Sequence, residues 1–195
     1  MVQLEKKSSN RVSTGTLTKY TFESTSLNLP TNINVFVPST ASSSNPVPIL
    51  FYLAGLTCNE DTGAQKGGIL NTAGEEGLAV IFPDTSPRGA GIEGEDDDWD
   101  FGTGTLRYNH HSIFGLVAHE VGAGFYLNAT DPKYRKHYNM YDLIVKELPS
   151  VLKEADLGLV SLDIHCRRLI TDEPGYITNV SHGTFYGRWA SLAIT

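Results

Sequence analysis

The chain has 195 residues, 40% hydrophobic, 10% aromatic and 19% charged, enough for one sizeable core or two small ones. With 15 Lys and Arg against 22 Asp and Glu it carries a net charge of −7, which excludes the basic footprint of a nucleic-acid binder, and no apolar run reaches the roughly 18–20 residues of a membrane span. The polar opening Met1–Asn10, with Glu5, Lys6 and Lys7, lacks the apolar stretch of a secretory signal, and two cysteines, Cys58 and Cys166, fit a reducing compartment better than a disulfide framework, so the expected location is cytoplasmic.

Residues 11–38 read as extended: 11–22 alternates loosely, and 32–37 alternates cleanly up to Pro38, which closes the strand. Residues 39–48, rich in Ser, Asn and Pro, form a surface loop. The continuous apolar run Ile49-Leu50-Phe51-Tyr52-Leu53 suits a central strand covered on both faces. A helix is expected over 64–74, weakened by Gly67 and Gly68. A second apolar strand over 78–82 is stopped by Pro83, which completes a strand–helix–strand unit and an α/β domain with a parallel sheet. Residues 84–104 form a long loop rich in Gly and acid. Helical spacing returns over 134–154, where Pro149 should kink or split the helix. After Leu159 the pattern decays, and 160–195 reads as an irregular tail.

In open α/β sheets, ligands bind beyond the carboxyl ends of the strands. Two such ends are visible, at Ala54-Gly55-Leu56-Thr57-Cys58 and at Asp84-Thr85-Ser86-Pro87-Arg88-Gly89. Gly55 allows either an oxyanion loop, with backbone N–H groups turned to a cavity, or a tight structural turn. The acidic run 93–100 lacks the ligand spacing of a calcium loop and reads as solvated. His110, His111 and His119 lie close together but form no zinc motif, and the expectation is no metal and no cofactor. No G-x-S-x-G nucleophile elbow occurs. Ser181 and His182 are adjacent, yet they form no elbow either.

Taken together, several ordered motifs resemble the S-formylglutathione hydrolases, the esterase D family. They are Tyr52-Leu53-Ala54-Gly55-Leu56-Thr57-Cys58, Pro83-Asp84-Thr85-Ser86-Pro87-Arg88-Gly89, and the run from Glu93 through Asp96-Asp97-Asp98-Trp99-Asp100-Phe101 to Gly104. Further along, Ala123-Gly124-Phe125-Tyr126, Tyr138-Asn139-Met140-Tyr141 and Glu147-Leu148-Pro149 continue the likeness. It covers about residues 15–104 and 123–159. The resemblance implies an α/β-hydrolase fold and a serine acyl-enzyme mechanism on S-formylglutathione or small acyl esters. Formate and glutathione would be released in formaldehyde detoxification. It also implies an oxyanion-hole N–H at Leu56, substrate contacts at Cys58 and Trp99, and a possible homodimer.

Two departures stand against that pattern. Residues 105–122 interrupt a join that the family makes directly, and the likeness stops near Leu159. The nucleophile elbow, the acid and the base are therefore missing in frame, leaving an α/β-hydrolase fold truncated before its elbow. Codon arithmetic offers an explanation. Gly104-Thr105 and Val121-Gly122 can be written with splice-donor-like and acceptor-like bases, and Val160-Ser161 can be written GTGAGT. Gly183–Trp189 can be written with codons that, shifted by one base, read Gly-His-Ser-Met-Gly-Gly, the family's elbow. The expectation is an N-terminal hydrolase part over 1–159 carrying an intron-derived insertion at 105–122, followed by an aberrant tail at 160–195. Without a nucleophile strand, the strands at 49–53 and 78–82 should show bare edges and apolar faces, with poor solubility as the result.

Overall fold

The computed structural model describes residues 3–55, 58–93, 126–159 and 191–194. Leu56, Trp99, the three clustered histidines, the 105–122 insertion and most of the tail lie outside the described residues. Strands β1 (Glu5–Val12), β2 (Gly15–Ser24) and β3 (Leu29–Pro38) form an antiparallel meander. Its turns place Ser13 and Asn28 at positive φ. β1 is exposed along nearly its whole length. Glu5, Lys6, Lys7 and Arg11, together with a bulge between Lys6 and Ser8, guard that edge against pairing with another chain.

β4 (Ile49–Tyr52) and β5 (Ala79–Pro83) are buried at every position, as continuous apolar runs in a covered parallel pair must be. The sheet order is β1-β2-β3-β5-β4-β6, with β6 at Ser191–Ile194. β5 is antiparallel to β3 and parallel to β4. The expectation of two bare edges is corrected here. β5 lies between β3 and β4, and the outer edge of β4 pairs antiparallel with β6, from Ile49 opposite Ile194 to Tyr52 opposite Ser191. Those four tail residues are thus extended; the rest of 160–195 is outside the described residues.

Period-two alternation splits the core into two layers. Ile33, Val35, Ile49, Phe51, Ala79 and Ile81 face one side, against Met140, Leu143, Ile144, Leu148, Val151 and Leu152. Phe36, Tyr52, Val80 and Phe82 face the other, against Ala64, Leu70 and Ala73. Each fully buried aliphatic side chain contributes roughly 1.5–3 kcal/mol.

The helix expected over 64–74 is two short ones, α1 (Glu60–Lys66) and α2 (Leu70–Glu75). Gly68, at φ +66°, turns the chain between them. α1 starts earlier than its apolar pattern because Asn59 caps it, accepting from the Asp61 and Thr62 N–H groups, while the Thr62 hydroxyl accepts from the Asn59 N–H.

The second helical run begins at α3 (Met140–Asp142), not at residue 134, passes through a π turn (Leu143–Glu147), and ends in α4 (Leu148–Glu154). Pro149 does not split it. The Leu148 N–H reaches back to the Leu143 carbonyl, five residues away, and this wide turn accommodates a proline that has no N–H to give. Glu147 ties the run to the β2–β3 turn. Its carboxylate accepts from the Ser24 hydroxyl (2.8 Å), the Thr25 N–H (2.6 Å) and hydroxyl (2.9 Å), and the Ser26 N–H (2.9 Å). Burial opposes its charge, but hydrogen bonds from Ser26, Ser24 and Thr25 prevail and hold the carboxyl below the ordinary Glu range. Among the described residues, no helix is long and apolar enough to cross a membrane.

α1 lies so close to the sheet that a Cβ on Gly63 would sit 2.9 Å from the Tyr52 ring and 3.0 Å from the Phe82 ring. Overpacking typically costs about 1–3 kcal/mol, more than the roughly 1 kcal/mol of helix propensity that alanine returns. Gly63→Ala is expected to lower stability by about 1–2 kcal/mol in urea denaturation; a neutral or stabilising result would contradict this packing.

Candidate functional site

Because β4 and β5 run parallel, their carboxyl ends emerge at the same end of the sheet. The residues that follow them, 53–59 and 84–93, are therefore neighbours there. Asp84 leaves β5 with its N–H on the Asn32 carbonyl (3.1 Å), one more step of the pairing with β3. Its side chain is 4% exposed. A carboxylate buried this deeply needs partners, and Arg88 supplies them: Nε lies 2.9 Å from Oδ1 and 2.8 Å from Oδ2. The Thr85 N–H donates to Oδ1 as well (2.6 Å).

The same guanidinium crosses to the other strand end. Arg88 Nη2 donates to the Cys58 carbonyl at 2.7 Å, and the Thr85 hydroxyl donates to that carbonyl too. The Cys58 N–H donates to the Gly55 carbonyl (3.2 Å), and the Tyr126 hydroxyl donates to the Ala54 carbonyl (2.8 Å). The carbonyls of Ala54, Gly55 and Cys58 are thus all held by donors of the protein itself. Gly89, at φ +83°, reverses the chain directly after Arg88.

Burial pushes the Asp84 carboxyl up to about 6; the Arg88 charge and hydrogen bond oppose the rise, and Glu60 adds to it. Burial likewise raises Tyr52 to about 12, with the Cys58 thiol adding to the effect, and raises Tyr126, with Asp84 and Cys58 adding. Cys58 itself is half-buried and packs on the cluster that contains Tyr52 and Ala54. Ser86 Oγ is buried and lacks a hydrogen-bond partner among the described residues. Beside α1, Lys19 pairs with the buried Glu60 (2.6 Å) and with Asp61 (2.6 Å), and Asn34 donates to Asp61 (2.8 Å). This charge cluster is internally satisfied.

Of the residues singled out from sequence, Cys58 and the Asp84–Gly89 loop are brought together. Leu56 and Trp99 lie outside the described residues. Gly55 would have open space around a Cβ, so packing does not demand a glycine there. Sequence reading marked the two loops but missed the Asp84–Arg88 pair and the Tyr126 contact. An Asp and an Arg four residues apart, just past an apolar strand, is the signal that could have found the pair. No group of three metal-binding side chains occurs among the described residues.

The family model described as "Putative esterase" matches residues 24–119. Over 136 residues the chain is 41% identical to the S-formylglutathione hydrolase of Arabidopsis thaliana, a match covering 70% of this chain and 41% of that protein. Over 149 residues it is 40% identical to that of Mus musculus, covering 76% of this chain and 46% of the relative. A solved S-formylglutathione hydrolase from Agrobacterium tumefaciens superposes with a TM-score of 0.63 at 33% identity, over 76% of this chain and 47% of that one. The match therefore spans less than half the length of each of these relatives.

The Asp84 shift fixes the sign of a pH dependence. Between the ordinary 3.8 and about 6 the folded chain holds more of this proton than the unfolded chain does. Its contribution to stability therefore grows as pH falls through 6, and the cost of burying the charge is present in full above 6. Relative to Asp84→Asn, which does not titrate, the wild type should gain on the order of 2 kcal/mol between pH 7.5 and pH 4.5. Urea denaturation of both across that range measures it; a constant difference, or a relative loss by the wild type on acidification, would contradict the assignment.

Proposed function

We propose that this chain, similar to the S-formylglutathione hydrolases over about three quarters of its length and sharing their α/β-hydrolase fold, represents the oxyanion-loop part of a serine thioesterase. Its substrates are S-formylglutathione or small acyl esters, hydrolysed to formate and glutathione in cytoplasmic formaldehyde detoxification, by a protein that pairs as a homodimer. The observation that carries the reading is the three-carbonyl clamp at Ala54, Gly55 and Cys58. With these three carbonyls held by the protein, the reading assigns the substrate-facing donor to a backbone N–H of the same loop. A tetrahedral acyl intermediate needs such fixed donors for its negative oxygen. In this reading Leu56 gives one N–H, and Cys58 and Trp99 are substrate-binding.

The reaction also needs a serine on a strand-to-helix elbow with a base in reach, and the written sequence contains no such elbow in frame. Loss of the nucleophile removes several orders of magnitude of rate. We therefore read this polypeptide as a non-catalytic form, produced by translated intron sequence at 105–122 and a shifted frame after Leu159.

Sequencing the spliced transcript and assaying both products tests the reading. The mature message should lack codons 105–122 and the stretch from codon 160 through the first base of codon 183. The protein it encodes should hydrolyse S-formylglutathione, whereas the chain as written should not exceed the buffer rate. A mature message that retains both stretches overturns the splicing account. Phosphonate-sensitive turnover by the written chain overturns its inactivity, and an inert product from the spliced message overturns the hydrolase assignment.

A further inference from the structure

Arg88 touches no reacting atom in the reading just given, yet its one side chain joins the ends of two strands. Neutralising Asp84 requires only a cation near the carboxylate. The observed geometry does more. Nε spans both Asp84 oxygens, which fixes the guanidinium plane, and Nη2 then lies 2.7 Å from the Cys58 carbonyl, thirty residues away in sequence. Thr85 delivers a second donor to that carbonyl from the same loop. Asn59, the next residue, caps α1, so the position of Cys58 and the start of the helix are set together. A rigid fork suits this task, and a lysine does not: its ammonium is a point charge without the planar donor pair.

We propose that Arg88 is a positioning residue, which uses the buried Asp84 as its anchor to fix Cys58 and the first turn of α1 at the carboxyl end of β5. Its relevance to substrate rests on the reading of Cys58 as substrate-binding; the positioning itself does not.

The test compares the full chain with Arg88→Lys at pH 7.5. Hydrogen exchange is followed over residues 58–62 and over the β3 and β5 amides, and Cys58 alkylation by iodoacetamide is followed by peptide mass spectrometry. Losing a charge-assisted bond to a carbonyl should raise both the exchange at 58–62 and the alkylation rate about tenfold, with β3 and β5 within twofold of wild type. Unchanged exchange and alkylation would show that Arg88 only supplies charge and would overturn the proposal. An equal rise throughout β3 and β5 would show a purely structural role and would overturn it as well.

Should the lysine variant fail to fold, Thr85→Val removes the second donor to the same carbonyl and leaves the ion pair in place. A rise confined to 58–62 then supports the clamp, and no rise overturns it. Neither readout requires turnover, so this proposal can fail while the hydrolase reading stands, and the reverse also holds.

Discussion

A carboxylate cannot be taken out of water without partners, and Asp84 is taken out almost completely at the point where β5 ends. Arg88 answers it from four residues further on, in the same loop. The pairing would be a local detail if the guanidinium stopped there. Because it continues to the Cys58 carbonyl, the solvation of one buried charge also decides where the segment after β4 sits. The carbonyls of Ala54, Gly55 and Cys58 are occupied by Tyr126, by the Cys58 N–H, and by Arg88 with Thr85. Three backbone carbonyls at the end of β4 are thereby taken up by donors of the protein itself.

The sheet makes this juxtaposition possible. β4 and β5 are apolar on both faces, so each needs a helical layer above and below, and a parallel pair brings their carboxyl ends to the same end. α1 and α2 cover one face, and the run from Met140 to Glu154 covers the other. Two devices hold those layers in register with the sheet. Gly63 brings α1 down onto the Tyr52 and Phe82 rings, and Glu147 gathers four donors from the β2–β3 turn. The outer edge of β4 is closed by the four residues of β6.

Much of this architecture is legible in the residues alone, because it follows from composition at short range. The runs 49–53 and 78–82 mark β4 and β5 by continuous apolarity, and Pro38 marks the end of β3. The motifs around Gly55, Asp84 and Glu147 point to the family. What the sequence hides is set at longer range. The cap at Asn59 moves the start of α1 ahead of its apolar pattern. Gly68 divides one expected helix into two, and the wide turn at 143–147 lets Pro149 remain inside a helix. The partner of β4's outer edge comes from the far end of the chain, where no periodicity announces a strand. Asp84 and Arg88 are both visible as letters, but their third partner is a backbone carbonyl, which has no signature in sequence.

The coupling between Asp84 and Arg88 ties the two strand ends together. A double-mutant cycle with Asp84→Asn, Arg88→Met and the pair, read by urea denaturation at pH 7.5, measures it most directly. A buried, hydrogen-bonded ion pair should show a coupling energy of at least about 1.5 kcal/mol. Additive single substitutions, with coupling near zero, would mean that the two side chains do not act as one unit and that the clamp between the strand ends is not what holds this site.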